Sequence, residues 1–359
     1  MILGGAVISV VVVTGSGGLV GSEVSRHFAK LGLEIVGIDN YMRKAFFGNK
    51  ADTRIVANEL KTSLNKYEHF DVDIRASETI DAIFRRYASS ISLIVHAAAQ
   101  PSHDWAARDP KLDFEINALG TLNLLESARN HCPNAVFVYM STNKVYGDMP
   151  NQFKYVEKET RWEIDKELSY SKTGFNETLP IDNSLHSLFG VSKASGDLLV
   201  QEYGKYFGMK TVCLRGGCLS GPSHQGAELH GFLSYLVKCA FLGEKYTIFG
   251  YKGKQVRDNL HSKDLALAIE FIWRRPLIGE VFNIGGSNKS NISILEAIDY
   301  LNKSGYSLEY DFDPKARLGD HIWWISDIQK FKNSYPGWEV SYSSEQIIDE
   351  TLVKLKDLH

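Results

Sequence analysis

The sequence predicts an α/β protein whose core is a doubly wound parallel sheet. Near the N-terminus, Val7–Val13 is a mostly β-branched run of strand length that ends in a glycine-rich turn. Apolar residues at spacings of four and three follow the turn and give one helix an apolar face: Val20, Val24, Phe28 and Leu31. A second apolar strand, Glu34–Ile38, comes next. Strands and helices keep alternating along the chain, which is typical of parallel sheets covered by helices on both faces.

The turn Thr14–Gly21 has the composition of a phosphate-binding loop. Its glycines permit a tight turn, and the N–H groups at the start of the following helix form a site for an anion such as pyrophosphate. Asp39 ends the second strand, where its carboxylate can accept from a ribose 2′-hydroxyl and repel a 2′-phosphate. This unit predicts a dinucleotide site that prefers NAD to NADP, although the nearby Arg43 is a residue type that accommodates a phosphate. The candidate cofactor-binding residues here are Gly15, Gly17, Gly18, Leu19, Val20, Gly21, Asp39, Asn40 and Arg43.

Later strand ends extend the predicted cofactor site. Asp73 follows a third strand candidate and is placed to reach an adenine amino group. Ser92–Ala99 is a fourth strand that finishes in small residues, which let a flat cofactor lie close to the backbone; alanines that only pack a helix closely would give the same pattern. A fifth strand ends in the hydroxyl-rich segment Ser141–Asp148, where open α/β sheets bind ligands. The remaining candidate cofactor-binding residues are Ile74, Ala97, Ala98, Ala99 and Asn117.

Composition limits the kinds of partner. The 359 residues allow a large core and two lobes, and the formal net charge of −3 gives no general reason to bind nucleic acid or an anionic membrane. The four cysteines are scattered without a CxxC pair, which predicts a reducing compartment and neither disulfides nor a metal site. The apolar N-terminus fits a first strand better than a leader, and no stretch is long and apolar enough to span a membrane. We therefore expect a cytoplasmic protein.

Several motifs together resemble one enzyme family. They are the TGxxGxxG turn, HAAAQ at 96–100, STNKVYGD at 141–148, the helix start SLFGVSK, and QVRDNLH at 255–261. Over nearly the whole chain, the sequence is similar to the extended short-chain dehydrogenase/reductase family of nucleotide-sugar epimerases and dehydratases. Within that family, the segments DFEINALGTLNLLESAR, STNKVYGD, HS-x-x-G-x-SK, GKQVRD and FNIGG are most similar to the CDP-paratose (CDP-tyvelose) 2-epimerases.

The resemblance implies a domain organisation, a cofactor and partners. A Rossmann lobe would comprise residues 1–215 plus 255–284, and a smaller substrate lobe would comprise 216–254 and 285–345. The protein would hold NAD tightly and act on a nucleotide-diphosphate sugar. Members of the family are commonly homodimers, paired through the helices that match 117–129 and 191–207 here.

In that family a Ser or Thr, a Tyr and a Lys surround the nicotinamide and the reacting sugar carbon. The matching positions are Thr142, Phe189 and Lys193. Thr142 is expected to hydrogen-bond the sugar oxygen, and Lys193, on the same helix face as Phe189, to bind the nicotinamide ribose. Phe189 departs from the pattern, because a phenyl ring keeps the shape of tyrosine but can neither accept nor donate a proton. General acid/base catalysis typically supplies about 10²–10⁴ in rate, so either another group carries the proton or turnover is slow.

The sequence offers four candidates for the missing acid/base group and does not rank them: Lys144, His186, Tyr170 and Cys218. All lie in or beside segments expected at the strand ends. A histidine titrates near neutral pH, but a lone histidine near a helix start is more often structural. A further alternative is that Lys193 acts through a water or the ribose hydroxyl.

A nucleotide-diphosphate sugar needs fixed cations, and arginine offers a fork of donors to phosphate oxygens. By the resemblance, Arg257 and Arg317 are the best candidates, with Arg257 alternatively holding Asp258 or the chain. Trp105, after the fourth strand, is either a ligand platform or a core residue. The polar segment 154–178 is either a lid or a solvated loop. The candidate substrate-binding residues are Ser102, Asp104, Thr142, Arg215, Arg257 and Arg317.

The predicted function is NAD-dependent epimerisation of a nucleotide sugar, at C2 of a CDP-paratose or CDP-tyvelose type of substrate. A hydride would pass from the sugar carbon to NAD⁺, and the keto sugar would present its other face before the hydride returns. Three alternatives remain. A 4,6-dehydratase would need an Asp-Glu pair where this chain has Asn143-Lys144, a reductase would consume NAD(P)H, and an NAD-loaded regulatory protein with weak catalysis would explain Phe189.

Overall fold

The computed structural model describes residues 9–224, 231–317 and 319–358. Its strands are β1 (Val10–Thr14), β2 (Glu34–Ile38), β3 (Tyr67–Phe70), β4 (Ile91–His96), β5 (Val136–Thr142), β6 (Tyr155–Glu157), β7 (Trp162–Ile164), β8 (Lys210–Gly216), β9 (Cys218–Ser220), β10 (Tyr246–Phe249), β11 (Val256–His261), β12 (Glu280–Ile284), β13 (Asn291–Ser293), β14 (Tyr310–Asp313) and β15 (Trp323–Trp324). Of the predicted first strand, Val7 and Ile8 lie outside the described residues.

Seven of these strands form one parallel sheet in the order β12, β8, β5, β4, β1, β2, β3. The order reverses its direction between β1 and β4. In open α/β sheets, ligands bind at such a reversal, outside the carboxyl ends of the strands. The carboxyl ends of β1 and β4 therefore mark the expected ligand crevice.

Helices cover both faces of this sheet, and further helices pack in the C-terminal part of the chain. They are α1 (Leu19–Lys30), α2 (Arg43–Phe47), α3 (Arg54–Ser63), α4 (Ser77–Tyr87), α5 (His103–Arg108), α6 (Pro110–Phe114), α7 (Gly120–His131), α8 (Tyr170–Thr173), α9 (Leu188–Phe207), α10 (Phe232–Leu242), α11 (Ser262–Arg274), α12 (Ile294–Lys303), α13 (Gln329–Ser334) and α14 (Ser344–Leu358), with a π-helical turn, Glu115–Leu119, before α7. Val11 and Val13 belong to the apolar core that includes residues of α1 and α11, whereas Val10 and Val12 belong to the core shared with α4, α7 and α9. Successive side chains of a strand point to opposite faces, so this division confirms the doubly wound α/β prediction.

Two smaller sheets are built mainly from the C-terminal part of the chain. β11 pairs with β9, β13 and β15, and β10 pairs with β14. A separate apolar core there joins Leu236 of α10, Ile298 of α12 and Ile348 of α14. We propose the two predicted lobes. Of the two strands in 255–284, β12 completes the main sheet, as predicted for the Rossmann lobe, whereas β11 pairs with strands of the smaller lobe.

The polar segment 154–178 is a hairpin packed onto this smaller lobe. β6 and β7 pair antiparallel, and the Trp162 indole N–H donates to the Tyr251 carbonyl. Phe175 is fully buried against Trp323 and Trp324, with ring centroids 5.4 Å apart in each pair. These contacts hold the segment against the lobe, and its side chains do not line the large cavity described below. They give no support to the lid alternative.

A buried ion pair attaches α9 to the sheet. The Arg215 guanidinium on β8 donates to both carboxylate oxygens of Asp197 on α9, at 3.0 and 2.8 Å. The Ser141 hydroxyl at the end of β5 donates to the same carboxylate. Both charged side chains are almost fully buried. The position of α9 relative to β5 and β8 is thus fixed by charged hydrogen bonds inside the protein.

We predict that Asp197→Ala lowers the free energy of unfolding by about 3–5 kcal/mol, because it leaves the Arg215 charge buried without its partner. Urea unfolding followed by circular dichroism measures the change. Glu202→Ala is the control, since it breaks an exposed pair with Lys205 on the same helix and should cost less than about 1 kcal/mol. Equal losses in the two variants would contradict this role of the Asp197 pair.

Candidate active site

One cavity of about 410 Å³ opens at the carboxyl edge of the main sheet. It extends from the glycine turn after β1, past the ends of β4 and β5, to Arg257 and Arg317. Most predicted site residues line it: Gly15, Gly17, Gly18, Leu19, Val20, Gly21, Asp39, Asn40, Arg43, Asp73, Ile74, Ala97, Ala98, Ala99, Asp104, Thr142, Lys144, Phe189, Lys193, Arg257 and Arg317. The structure therefore brings the predicted cofactor and substrate groups into one space.

The glycine turn leaves bare backbone at one end of the cavity. Gly15 has a φ of +67°, and a Cβ on Gly21 would lie 2.2 Å from the Gly15 carbonyl oxygen. Glycine is therefore required at both positions for α1 to pack this closely on β1. The N-terminus of α1 has no side-chain cap, so its first N–H groups are available to an anion.

Asp39 lies beside the turn, as predicted for a ribose-binding carboxylate. Its oxygens accept from the backbone N–H groups of Gly17 at 2.9 Å and Tyr41 at 2.8 Å. Burial raises the pKa of the Asp39 carboxyl, and these two N–H donors oppose the rise. Arg43 also lines this end of the cavity, with its guanidinium 4.8 Å from the Phe47 ring centroid, and burial lowers its pKa to about 10. The carboxylate and the cation flank one binding region.

The segment 97–100 is extended and lies directly against the turn. The Ala98 N–H donates to the Thr14 hydroxyl, and a Cβ on Gly15 would lie 2.8 Å from the Ala98 nitrogen. Ala97, Ala98 and Ala99 line the cavity, and their small side chains leave space for a ligand there. Next to it, Asn40 donates to Asp73 at 2.9 Å, and Arg75 holds the same carboxylate.

The nicotinamide-side residues meet where β5 faces α9. The Lys193 amine donates to the Met140 carbonyl at 2.7 Å and lies 4.1 Å from the Tyr139 ring centroid. Burial lowers the pKa of Lys193 to about 7. Thr142 caps the short helical turn after β5, accepting from the Lys144 N–H at 3.2 Å. Phe189 is buried and lines the same part of the cavity.

Two of the four candidates for the missing acid/base group lie away from the cavity. The His186 ring nitrogens lie within hydrogen-bond distance of the Val145 and Ser184 carbonyls, and Tyr170 packs against Phe153 and Phe175. Neither lines the cavity, so the structure does not support their predicted candidacy.

Lys144 and Cys218 do line the cavity. Burial raises the pKa of the Cys218 thiol to about 11 and lowers that of the Lys144 amine to about 8. Lys144 donates to the Gly319 carbonyl at 2.8 Å. Of this pair, Lys144 has the pKa nearer to neutral pH.

The sequence predicts that the segment Ser102–Trp105 faces the sugar and cofactor but assigns no role to His103, which the structure places against Phe189. The two rings meet edge to face, 5.0 Å between centroids. His103 Nδ1 lies 2.6 Å from the Ser187 hydroxyl, which caps α9. Burial lowers the pKa of His103 to about 3, so the ring is neutral at physiological pH. Only its position in the Ser102–Trp105 segment hinted at this site.

The far end of the cavity carries two arginines around one carboxylate. Arg317 donates to Asp320 at 3.1 Å, and the Arg257 guanidinium lies 3.7 Å from the same group. These cations hold the pKa of Asp320 below its usual range although burial acts against them. Asp258 is instead held by the backbone N–H groups of Ser287 and Ser326, so Arg257 does not serve to pair it. The net positive charge suits a phosphate group.

Three other predicted ligand contacts do not line the cavity. Arg215 is occupied by Asp197 and the Tyr146 hydroxyl. Asn117 donates to the Gln100 carbonyl and accepts from the Gln100 N–H, so it anchors the segment 97–100 from behind. Ser102 caps α5.

The structure gives each of these three side chains internal partners, so it offers no support for their predicted ligand contacts. Trp105, the proposed ligand platform, packs against Phe46 and donates to its carbonyl, which favours the core alternative.

Comparisons with known proteins agree with this geometry. The model of the NAD-dependent epimerase/dehydratase family matches residues 11–285. CDP-paratose 2-epimerase of Salmonella typhi is 31% identical over 90% of this chain and 92% of its own length. dTDP-glucose 4,6-dehydratase of Salmonella typhimurium is 30% identical over 80% of this chain and 75% of its own length. UDP-glucose 4-epimerase of Thermus thermophilus, solved with NAD, superposes with a TM-score of 0.76 at 25% identity, covering 97% of this chain and 99% of that one.

The chain belongs to the NAD-dependent epimerase/dehydratase family. Its cofactor is NAD, and the bare glycine turn, the uncapped start of α1 and Asp39 fit a dinucleotide. Among the residues that the structure describes, no cluster of three or more histidine, cysteine or carboxylate groups could hold a metal ion. No helix in the described ranges is both long and apolar enough to cross a membrane.

Asp39→Asn should weaken NAD binding by about tenfold to a hundredfold, because it removes the charge from the acceptor for the ribose hydroxyls. It should also reduce the preference for NAD over NADP, because the repulsion of a 2′-phosphate is lost. Isothermal titration of the cofactor-free protein with each dinucleotide measures both. Asp71→Asn is the matched control, since Asp71 is exposed nearby and does not line the cavity. Unchanged NAD affinity in Asp39→Asn would place the ribose elsewhere.

Proposed function

We propose that the protein is an NAD-dependent nucleotide-sugar epimerase that acts at C2 of a CDP-sugar of the CDP-paratose type. One observation carries the proposal: a single cavity joins the dinucleotide turn, the Thr142 and Lys193 pair, and the cationic end at Arg257 and Arg317. A substrate with a diphosphate at one end and a reacting sugar carbon at the other fits the order of these groups along the cavity.

Each part of the cavity would have a defined role in such an epimerisation. When bound, NAD accepts a hydride from the sugar carbon and can return it to either face of the ketone. Thr142 is placed to hydrogen-bond the sugar oxygen, and Lys193 to bind the nicotinamide ribose. Arg257 and Arg317 hold the diphosphate while the sugar presents its other face. Because the hydride returns, no second substrate is needed.

The choice of C2 and of cytidine rests on similarity. The similar Salmonella typhi protein is a CDP-paratose 2-epimerase. Lys144 donates to Gly319, next to the Arg317–Asp320 end, and follows Thr142 by two residues. Polar groups therefore continue from the proposed phosphate end to the proposed reacting end of the cavity.

A 4,6-dehydratase is the second candidate, because such enzymes also match this chain. A dehydratase needs an acid and a base to remove water. At the two positions after Thr142 this chain has Asn143 and Lys144, and neither is a carboxylic acid. We therefore favour the epimerase.

The protein should convert CDP-paratose to its C2 epimer without accumulating NADH. With deuterium at C2 of the substrate, the label should remain at C2 of the product, because the same hydride returns. Proton and deuterium NMR of the reaction mixture measure both product and label, with UDP-, GDP- and dTDP-sugars run in parallel. Loss of the label to solvent, or loss of water from the sugar, would refute the proposed reaction, and turnover of another nucleotide alone would refute the CDP assignment.

We also propose that the protein is a homodimer paired through α7 and α9. Leu188, Val191 and Leu198 are exposed apolar residues of α9, and Phe114 and Leu119 are exposed just before α7. These apolar side chains are close to the helices that family members commonly use to pair. A second copy of the same surface would bury them by the hydrophobic effect.

Leu198→Glu should shift the protein from dimer to monomer, because it places a charge at the centre of the apolar contact. Sedimentation velocity across a range of concentrations measures the shift. Ile55→Glu is the matched control, since Ile55 is more exposed but lies on α3. A wild-type protein that sediments as a monomer at every concentration would contradict the pairing.

A further inference from the structure

Phe189 is connected to Lys144 through a continuous set of contacts. The Phe189 ring meets the edge of His103, and a Cβ on Gly319 would lie 2.6 Å from the His103 ring. The Gly319 carbonyl in turn accepts from the Lys144 amine at 2.8 Å. A second contact runs along the backbone, because a Cβ on Gly190 would lie 2.8 Å from the Lys144 carbonyl. The Lys144 amine is thus linked to Phe189 through Gly319 and His103, and both residues line the same cavity.

The hydrogen bond of Lys144 can persist in both protonation states. Its partner is a carbonyl, and an N–H of either the ammonium or the neutral amine can donate to a carbonyl. Within the described residues, no carboxylate lies within 4.0 Å of this amine as a salt-bridge partner. Asp320 is already shared by Arg257 and Arg317. Lys144 can therefore lose its proton without losing its tether or breaking an ion pair.

We propose that Lys144 is the acid/base residue that replaces the tyrosine hydroxyl. The assignment rests on the proposed epimerase function. In the oxidative step, the sugar O–H bond breaks, its proton passes to Lys144 Nζ, and its electron pair forms the C=O bond as the carbon-bound hydrogen leaves as hydride to the cofactor. In the return step, the hydride adds to the other face, and the ammonium gives its proton to the oxygen. The reaction consumes no proton or electron overall.

The charges around Lys144 favour this role. Burial lowers the pKa of Lys144 to about 8, and Asp320 partly opposes the shift while the nearby arginines assist it. A base titrating near the working pH is the most efficient proton carrier. The titratable and charged groups that act on Lys144, or on which it acts, are Asp320, Arg257, Arg317, Cys218, His103 and His321.

The other ionisable groups near Phe189 fit less well. The pKa of His103 is lowered to about 3, so it is a poor base near neutral pH. Lys193 is held against the Tyr139 ring and by the Met140 carbonyl, and the family resemblance implies that it binds the ribose. His103 is then a neutral hydrogen-bonding group in the cavity wall.

Lys144→Arg tests the proposal, because it keeps the positive charge and the donors but cannot lose a proton near neutral pH. We expect kcat to fall by at least about 100-fold with little change in KM. In the wild type, kcat should rise with pH to a plateau above about 8, as the neutral amine accumulates, and this limb should vanish in the variant. Adding Phe189→Tyr to Lys144→Arg should restore part of the rate. Lys66→Arg, at an exposed site, is the matched control.

An unchanged kcat and pH profile in Lys144→Arg would overturn the assignment. A rise in KM alone would also overturn it, since Lys144 would then be a phosphate ligand. A second readout needs no sugar. The side-chain NMR signal of Lys144 is identified as the lysine signal that is absent from Lys144→Arg, or from Lys144→Gln if the arginine variant does not fold. In the NAD-loaded wild type this signal should titrate near pH 8. A Lys144 that stays charged to pH 10 refutes this proposal, whereas a wild type that epimerises no sugar refutes the proposed function instead.

Discussion

The carboxylate of Asp197 is the constraint on which the site geometry depends. It is one turn beyond Lys193 on α9, and it binds Arg215 of β8 and Ser141 of β5 at the same time. With α9 held in this way, the Lys193 amine reaches the Met140 carbonyl. The part of the cavity that Lys193 lines is therefore shaped by contacts inside the protein. Such preorganisation is what a reaction with strict geometry needs.

Burial also shifts the pKa values of the two lysines that line the cavity. Lys193 and Lys144 both lie in the cavity wall, and burial lowers the pKa of the first to about 7 and of the second to about 8. The family resemblance implies a lysine whose charge lowers the pKa of a tyrosine, and Phe189 has no hydroxyl on which that charge could act. In the proposed mechanism, Lys193 binds the ribose, and Lys144, whose pKa is lowered by burial, carries the proton.

The features that the sequence predicted well depend on residues that are close together along the chain. The turn Thr14–Gly21 and Asp39 form one continuous strand, turn, helix and strand unit, and the structure shows the unit intact. Arg215 was predicted as a ligand contact, because an arginine at a strand end looks the same whether its partner is a phosphate or Asp197, 18 residues earlier. His103 was placed in a segment facing the site but given no role, because its partner, Ser187, is 84 residues away and meets it only when α9 packs on the sheet. Long-range partners have no local signature.

With Phe189 in place of tyrosine, proton transfer by an amine requires different surrounding groups from proton transfer by a phenol. A phenol beside a lysine needs the charged lysine to lower its pKa. An amine needs burial away from water to lower its pKa. It also needs a hydrogen-bond acceptor that it can donate to in both protonation states, and the Gly319 carbonyl is such an acceptor. The phenyl ring packs against His103 and gives the position an apolar surface. In the proposed mechanism, Phe189 keeps the shape of the tyrosine ring while Lys144 transfers the proton.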